Sequence, residues 1–212
     1  MRIPTAAVSS ASPSGRRPSA NTAIAAGILI WIGIVVAGGW QLTRYSLTPG
    51  PTGGTALTMP SEGPLAQLHG APALVVTLHP ECGCSRATLE EVGRIIEGCG
   101  GGLQAVAVFE VYPGLPHGVE ESDRWKQASA IPGLRCIKDP SGVVAESLGA
   151  RASGDVCLFL NDRLVFHGGV TSGRGHSGAN ACSDAVIALV RGANLDGPLN
   201  PPVFGCLLKD EE

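Results

Sequence analysis

The chain has 212 residues, enough for one ordinary domain with additional segments, and 44% hydrophobic against 16% charged residues is unusually apolar for a soluble protein. From Glu62 onward there are 11 basic and 18 acidic residues, so the net charge of this part is −7. With no basic stripe and few aromatic side chains, this composition argues against nucleic acid as a partner.

The amino-terminal part predicts a single membrane anchor. The run from Ala23 to Trp40 has 18 residues without a charged or strongly polar side chain, and as a helix it would cover about 27 Å, close to the thickness of the hydrocarbon core. A cleaved signal peptide is the alternative, with a weak cleavage pattern that ends at Ala37. Its apolar core is usually shorter than this run, so the length favours an uncleaved anchor.

The basic residues predict the orientation of this anchor. Arg2, Arg16 and Arg17 precede the apolar run, and only Arg44 follows it closely. Positive residues stay on the cytoplasmic side, so the amino terminus is expected in the cytoplasm and the rest outside it, which in a bacterium is the periplasm. Disulfides persist in that compartment.

The composition divides the chain into five predicted segments. Ser, Pro and Ala dominate before the apolar run, and Gly, Pro and Thr dominate after it, so neither stretch is able to bury a core. The predicted segments are a disordered cytoplasmic tail at 1–20, a transmembrane anchor at 21–40, a flexible linker at 41–64, a folded domain at 65–208 and an acidic carboxy-terminal tail at 209–212.

Within the domain the apolar pattern alternates between strands and helices. Short β-branched runs predict strands, and apolar positions three or four residues apart predict helices. The predicted elements are a strand at Ala73 to Leu78, a helix at Ser85 to Ile96, a strand at Leu103 to Val111, a weaker helix at Val119 to Ala128, a strand at Leu134 to Ile137, a hairpin formed by Val156 to Leu160 and Leu164 to His167, and a last helix capped by Asn180. This α/β order, a βαβ unit followed by a hairpin and a closing helix, resembles the thioredoxin fold, a central mixed sheet with flanking helices.

A dithiol, Cys82-Gly83-Cys84, lies between the first predicted strand and its helix. Free backbone N–H groups and the helix dipole stabilise a thiolate at such a position, so a lowered thiol pKa is expected. Cys82 is predicted to attack, as the first cysteine does in thioredoxin-like sites. Thioredoxin-like sites have two residues between their cysteines, so Ser85 occupies the position of the second cysteine here. Cys84 is then the thiol left to resolve a mixed disulfide on Cys82. A disulfide between Cys82 and Cys84 would close a strained ring and act as an oxidant.

Three stretches carry a more specific resemblance. Residues Leu78 to Ala87, Gly173 to His176 and Pro202 to Cys206 are similar to the RedB-type group of membrane-anchored bacterial thioredoxin-like proteins. The resemblance covers about residues 65–208 and implies the fold and a redox role, without a substrate. One departure from thioredoxins is Gly154, which aligns with their cis-proline and leaves the geometry of substrate docking open.

The fold geometry predicts further neighbours of the dithiol. The last two strands of such a sheet are antiparallel, so the loop Gly168 to Asn180 is expected to overhang Cys82 and Cys84. Arg174 and His176 in this loop are then expected to lower the thiol pKa further.

The remaining cysteines leave several alternatives. Seven is an odd number, so at least one thiol stays unpaired within a monomer. Buried, structural roles are expected for Cys99, Cys136 and Cys157. A bridge between Cys182 and Cys206 and a resolving role for Cys206 are both open.

The leading hypothesis is a membrane-anchored, extracytoplasmic thiol–disulfide oxidoreductase that acts on protein thiols and disulfides and needs no cofactor. An alternative is an exported copper-binding chaperone resembling the Sco type, in which Cys82 and Cys84 with His79 and His176 form a site for a soft metal ion, Cu(I) or Zn. A third hypothesis is an inactive thioredoxin-like module that only binds partners.

Overall fold

The computed structural model describes residues 20–51, 53–54, 56–115, 118–193 and 197–208. The predicted tails at 1–20 and 209–212 lie outside these residues, except for Ala20. The chain divides into two compact units, one up to Leu42 and one from Thr43 onward.

Helix α1 spans Ala20–Leu47, and its 28 residues extend beyond the predicted anchor. Its most apolar window has a mean hydropathy of 2.2, and none of its side chains is buried. By length and composition α1 is able to cross a membrane, a test that a signal sequence near the amino terminus also passes.

The second unit contains a five-stranded mixed sheet. The strands are β1 (Ala73–Leu78), β2 (Gln104–Val111), β3 (Leu134–Pro140), β4 (Asp155–Leu160) and β5 (Arg163–Gly169). Their spatial order is β3-β2-β1-β4-β5, in which β1, β2 and β3 are parallel and β4 is antiparallel to both β1 and β5. The remaining helices are α2 (Ser85–Cys99), α3 (Asp123–Ser129), α4 (Val143–Leu148) and α5 (Ala181–Val190). This topology confirms the predicted thioredoxin-like fold.

Alternation along β1 explains why the sheet is covered on both faces. Leu74, Val76 and Leu78 belong to the core that α2 and α5 cover, whereas Ala73 and Val75 belong to the core on the opposite face. Successive side chains of a strand point to opposite faces, so an unbroken apolar run is buried on both.

Glu91 differs from what the sequence of α2 predicts, because the apolar periodicity of this helix assigns Glu91 to its polar face. Its side chain is fully buried, and its carboxylate accepts hydrogen bonds from Gly178 N at 2.6 Å and Asn180 Nδ2 at 3.1 Å. Arg94 lies 3.0 Å from the same carboxylate and compensates its charge. Glu91 therefore ties the loop after β5 to α2.

The segment between α1 and β1 is partly bound to the domain. Met59 N donates to Asp162 O at 3.0 Å, Gly50 N donates to Val203 O at 2.7 Å, and the Met59 side chain is buried. Within the predicted linker 41–64, these residues are therefore held by the hairpin and by the carboxy-terminal segment.

The carboxy-terminal segment crosses the end of β5. Leu199 pairs in parallel with Phe166, and Gly169 N donates to Pro201 O at 3.3 Å. A Cβ atom at Gly168 would overlap the Pro201 carbonyl oxygen, so the crossing requires a residue without a side chain. The chain then continues toward the end of β1.

Candidate functional site

The Cys-Gly-Cys motif forms the turn between β1 and α2. Cys82 N donates to His79 O at 3.2 Å, and Ser85 N donates to Cys82 O at 3.2 Å. Cys84 is the residue before the first residue of α2 and makes no side-chain capping hydrogen bond. The thiol of Cys82 accepts a backbone hydrogen bond from Ser85, so this sulfur lies at the positive end of the helix.

The nearest sulfur to Cys82 belongs to Cys206, in the carboxy-terminal segment. Their Sγ atoms are 2.9 Å apart, within hydrogen-bonding distance, and when Cys82 is ionised the Cys206 thiol is the donor. Cys82 is only 2% exposed. A disulfide bond is about 2.0 Å long, so a movement of about 1 Å would join the two sulfurs.

The two thiols have opposite pKa shifts. Burial opposes ionisation of Cys82, but hydrogen bonds from the Cys206 thiol, the Ser85 hydroxyl and the backbone N–H groups of both residues lower its pKa to about 7. Burial, the donated hydrogen bond and the negative charges of Cys82 and Cys84 raise the pKa of Cys206 to about 12. Near neutral pH Cys82 is therefore ionised in about half of the molecules, whereas Cys206 keeps its proton.

Two serines fix the position of the Ser85 hydroxyl that bonds to Cys82. Ser85 Oγ lies 2.6 Å from Ser153 Oγ, and both side chains are buried. Ser153 Oγ also accepts a hydrogen bond from His79 N at 2.8 Å. The pair connects the start of α2 to the end of β1 and to the residue before Gly154, and so fixes the Ser85 hydroxyl beside Cys82.

The carboxy-terminal segment docks on residues 151–153. Ser153 N donates to Cys206 O at 2.8 Å, Leu208 N donates to Arg151 O at 3.0 Å, and Ala152 pairs with Leu207 in antiparallel register. A Cβ atom at Gly205 would overlap the carbonyl oxygen of Ser153, so only glycine permits this approach.

Gly154, which aligns with the cis-proline of thioredoxins, ends this docking edge. It has φ of +91°, its N–H donates to Thr77 O at 2.7 Å, and a Cβ atom there would lie 2.7 Å from Thr88 Oγ1. Among the described residues no peptide bond is cis. The edge is therefore formed by ordinary trans peptide bonds.

Arg174 contacts the docked segment. Its guanidinium donates to Gly205 O at 2.7 Å and to Thr48 O at 3.2 Å, and its charge opposes the raised pKa of Cys206. His176 is exposed, and its Nδ1 lies 2.8 Å from Arg174 O. An effect of either side chain on Cys82 stays a prediction.

Three sulfurs converge at the site. The thiols of Cys82, Cys84 and Cys206 lie within 4.8 Å of one another. Of the two histidines predicted as metal ligands, His79 stacks on Tyr112 with ring centroids 5.1 Å apart, and its Nδ1 accepts from Glu81 N at 3.2 Å. The group formed by the described residues is therefore a set of three thiols.

All seven cysteines are free thiols. Cys157 is buried in the sheet, and burial raises its pKa well above the ordinary value. Cys99, Cys136 and Cys182 are partly buried against the core. The bridge between Cys182 and Cys206 is thus not formed, and Cys206 lies at Cys82 instead.

Sequence reasoning left a resolving role for Cys206 open but did not choose it over a bridge to Cys182, and it did not predict the role of Ser153. The signal for Cys206 was a cysteine in a glycine- and proline-rich segment long enough to reach the sheet edge. For Ser153 the only signal was its position beside Gly154.

No known family model matches the chain, and no curated protein matches it. The chain is similar to the solved structure of a hypothetical protein from Sinorhizobium meliloti, with a TM-score of 0.54, 24% identity, and 77% of this chain and 94% of that chain covered. An uncharacterized conserved protein from Geobacillus kaustophilus has a TM-score of 0.53 and 21% identity, covering 78% and 93% of the two chains. A secreted disulfide oxidoreductase of Mycobacterium tuberculosis, homologous to E. coli DsbE, has a TM-score of 0.43 and 16% identity, covering 65% and 94%. At 24% and 21% identity the first two similarities support the fold alone. A proposal about the chemistry therefore depends on the geometry of the site.

Proposed function

We propose that the protein is a membrane-anchored thiol–disulfide oxidoreductase, with Cys82 as the nucleophile and exported protein thiols and disulfides as its partners. The observation that carries this proposal is the Cys82 sulfur, whose pKa is about 7 and which lies 2.9 Å from a second thiol at the start of a helix. About half of such a thiol is ionised at neutral pH, and the thiolate is the attacking species in exchange. The RedB-type assignment is part of this proposal.

The chemistry begins with attack of the Cys82 thiolate on a target disulfide. A Cys82–target disulfide forms, and the other target sulfur leaves as a thiolate. A second thiol of the protein then attacks Cys82 Sγ and expels the target thiolate. The target gains two electrons and the protein dithiol becomes a disulfide, and the reverse sequence oxidises a target dithiol. The sequence predicted Cys84 for this second step and left the same step open for Cys206.

The test is exchange between the full chain in detergent micelles and glutathione disulfide. We expect Cys82→Ser to abolish exchange, because Cys82 is the thiol whose pKa is lowered to about 7. Cys182→Ser is the matched control and should exchange like the wild type. Exchange that survives in Cys82→Ser, or a Cys82 alkylation midpoint near the ordinary value of about 8.5, would refute the proposal.

Membrane attachment through α1, with the amino terminus in the cytoplasm and the domain outside it, belongs to the same proposal. The apolar length of α1 and the three preceding arginines support it. The full chain should stay with membranes after a carbonate wash. A reporter fused after Leu208 should be active only when exported. A shortened soluble form that begins near Ala37 would identify a cleaved signal peptide.

Copper handling is the second candidate, favoured by the three thiols within 4.8 Å. Thiolate sulfur is a preferred ligand of Cu(I). An anaerobic Cu(I) titration of the reduced chain against a competing chelator separates the two functions. One tight equivalent that is lost in Cys84→Ser, together with no exchange activity, would favour copper handling. Loss in His79→Ala or His176→Ala would add that histidine to the ligands.

A further inference from the structure

The carboxy-terminal residues 203–208 dock beside the candidate site, where Leu207 forms a β-bridge with Ala152. They pair in antiparallel register with residues 151–153 through the hydrogen bonds of Cys206 and Leu208, and Arg174 holds the Gly205 carbonyl group. The side chains of Val203 and Leu208 are each 5% exposed. This is a docked segment with its own specific contacts.

We propose that Cys206 is the thiol that resolves the mixed disulfide on Cys82, and that the segment 203–208 presents it by occupying the edge of residues 151–153 where a target polypeptide binds. This inference rests on the proposed function and assigns the resolving step within it. It selects Cys206 for the resolving role, which the sequence analysis predicted for Cys84 and left open for Cys206.

Geometry favours Cys206 over Cys84 for this step. The Cys206 and Cys82 sulfurs are 2.9 Å apart in the reduced protein, and the two residues are 124 positions apart, so their disulfide needs no strained local ring. Cys84 is separated from Cys82 by Gly83 alone, which imposes such a ring.

The docking edge explains how a target would be presented. The edge formed by residues 151–153 holds an extended segment in the pose that brings a cysteine sulfur to Cys82. An extended target segment in the same pose would bring its own sulfur there. The edge holds one strand at a time, and Cys82 is 2% exposed when residues 203–208 occupy it. Target binding therefore requires these residues to withdraw, and resolution requires them to return.

The charge on Cys82 determines the sequence of the two steps, which are attack of Cys82 on the target and attack of Cys206 on the mixed disulfide. While Cys82 is a thiolate, its charge and hydrogen bond hold the proton on Cys206, so Cys206 does not compete for the target. Once Cys82 is in the mixed disulfide, that charge is gone and Cys206 loses its proton more easily, with Arg174 favouring the thiolate. The Cys206 thiolate then attacks Cys82 Sγ, forms the Cys82–Cys206 bond and expels the target thiolate.

The test is the reaction of the reduced full chain, in detergent micelles, with glutathione disulfide, followed by intact mass and released glutathione. Wild type should release two glutathione thiols and retain no adduct. Cys206→Ser should stop after the first and accumulate a stoichiometric glutathione adduct on Cys82. Cys84→Ser and the control Cys182→Ser should behave like wild type. An adduct in Cys84→Ser, or none in Cys206→Ser while Cys82 still exchanges, would overturn the inference and leave the proposed function standing. Absence of reaction at Cys82 in every variant would refute both.

The disulfide of the oxidised wild type gives an answer that does not depend on any variant folding. Tryptic peptides distinguish the disulfides Cys82–Cys206, Cys82–Cys84 and Cys182–Cys206. Cys82 and Cys84 lie in the peptide 45–86, Cys182 lies in 175–191 and Cys206 lies in 192–209. We expect a covalent pair of 45–86 with 192–209, in which fragmentation locates the bond on Cys82 and leaves Cys84 as a free thiol, whereas a bond located on Cys84 would overturn the inference. A single 45–86 peptide lighter by two hydrogens would identify a Cys82–Cys84 disulfide, and a pair of 175–191 with 192–209 a Cys182–Cys206 disulfide. Either result would overturn the inference.

Discussion

Oxidation of the Cys82–Cys206 pair is expected to stabilise the domain strongly. The two residues are 124 positions apart, and closing a loop of that length lowers the entropy of the unfolded chain by an amount equivalent to about 5 kcal/mol. A Cys82–Cys84 disulfide would close a loop of only two steps and contribute far less. For a domain of this size each kcal/mol raises Tm by roughly 2–4 °C, so the oxidised domain should unfold about 10–20 °C above the reduced one.

Thermal unfolding of the full chain, oxidised and reduced, measures this difference. The fluorescence of Trp125 reports on the domain, because its ring packs against Phe109 with centroids 5.1 Å apart, although the tryptophans of α1 contribute a background. The control Cys182→Ser should keep the difference and Cys206→Ser should lose it. Equal Tm values in the two redox states of the wild type would refute the reasoning, and so would a difference that survives in Cys206→Ser.

Three further changes probe the electrostatics of the domain. Ser85→Ala removes a hydrogen bond to the Cys82 thiolate, worth roughly 1.5–3 kcal/mol, so the midpoint of Cys82 alkylation should rise by about 1–2 pH units. His176→Ala should raise the same midpoint if its imidazolium faces the thiolate, and the remote His69→Ala should leave it unchanged. The buried carboxylate of Asp155 lies 3.1 Å from His167 Nε2 and raises the pKa of His167. The stabilising contribution of His167 is therefore present below about pH 6.5 and is lost as the pH rises. In urea unfolding His167→Gln should therefore reduce the loss of stability between about pH 5.5 and about pH 8, whereas His69→Gln should have little effect.

Local patterns were sufficient to predict most of the fold. The apolar run of β1 gave its bounds, the periodicity after the cysteines gave α2, and Asn180 caps α5 with hydrogen bonds to Cys182 N and Ser183 N as expected. These features depend on residues within a few positions of one another. The short helix α4 was not predicted, because its six residues carry too few apolar positions to show a period.

The site was only partly predictable, because its second half comes from distant parts of the chain. Position at a strand–helix junction identified Cys82 without any tertiary information. The contact with Cys206 depends on Gly168, which lets the carboxy-terminal segment cross β5, and on Gly205, which lets it approach Ser153. Neither close approach produces a recognisable pattern in the local sequence. Glu91 was misassigned for the same reason, since its partners Gly178 and Asn180 follow it by almost 90 residues.

The direction of electron flow follows from two opposing effects. The low pKa of Cys82 favours the reduced protein, but at pH 7 a shift from about 8.5 to about 7 stabilises that state by only about 0.4 kcal/mol, or roughly 10 mV. Docking of residues 203–208 favours the disulfide, because it holds Cys206 at Cys82 before the bond forms. A segment without its four hydrogen bonds to Gly50, Arg151, Ser153 and Arg174 would have to be ordered when the disulfide forms, so at about 1 kcal/mol each these bonds lower the potential by up to roughly 80 mV relative to an undocked segment. Docking is the larger effect, so the dithiol should be a reductant, with a potential below the range of about −200 to −230 mV of glutaredoxins when equilibrated in glutathione buffers. A potential near the value of about −120 mV of strong oxidants would instead indicate the strained Cys82–Cys84 ring.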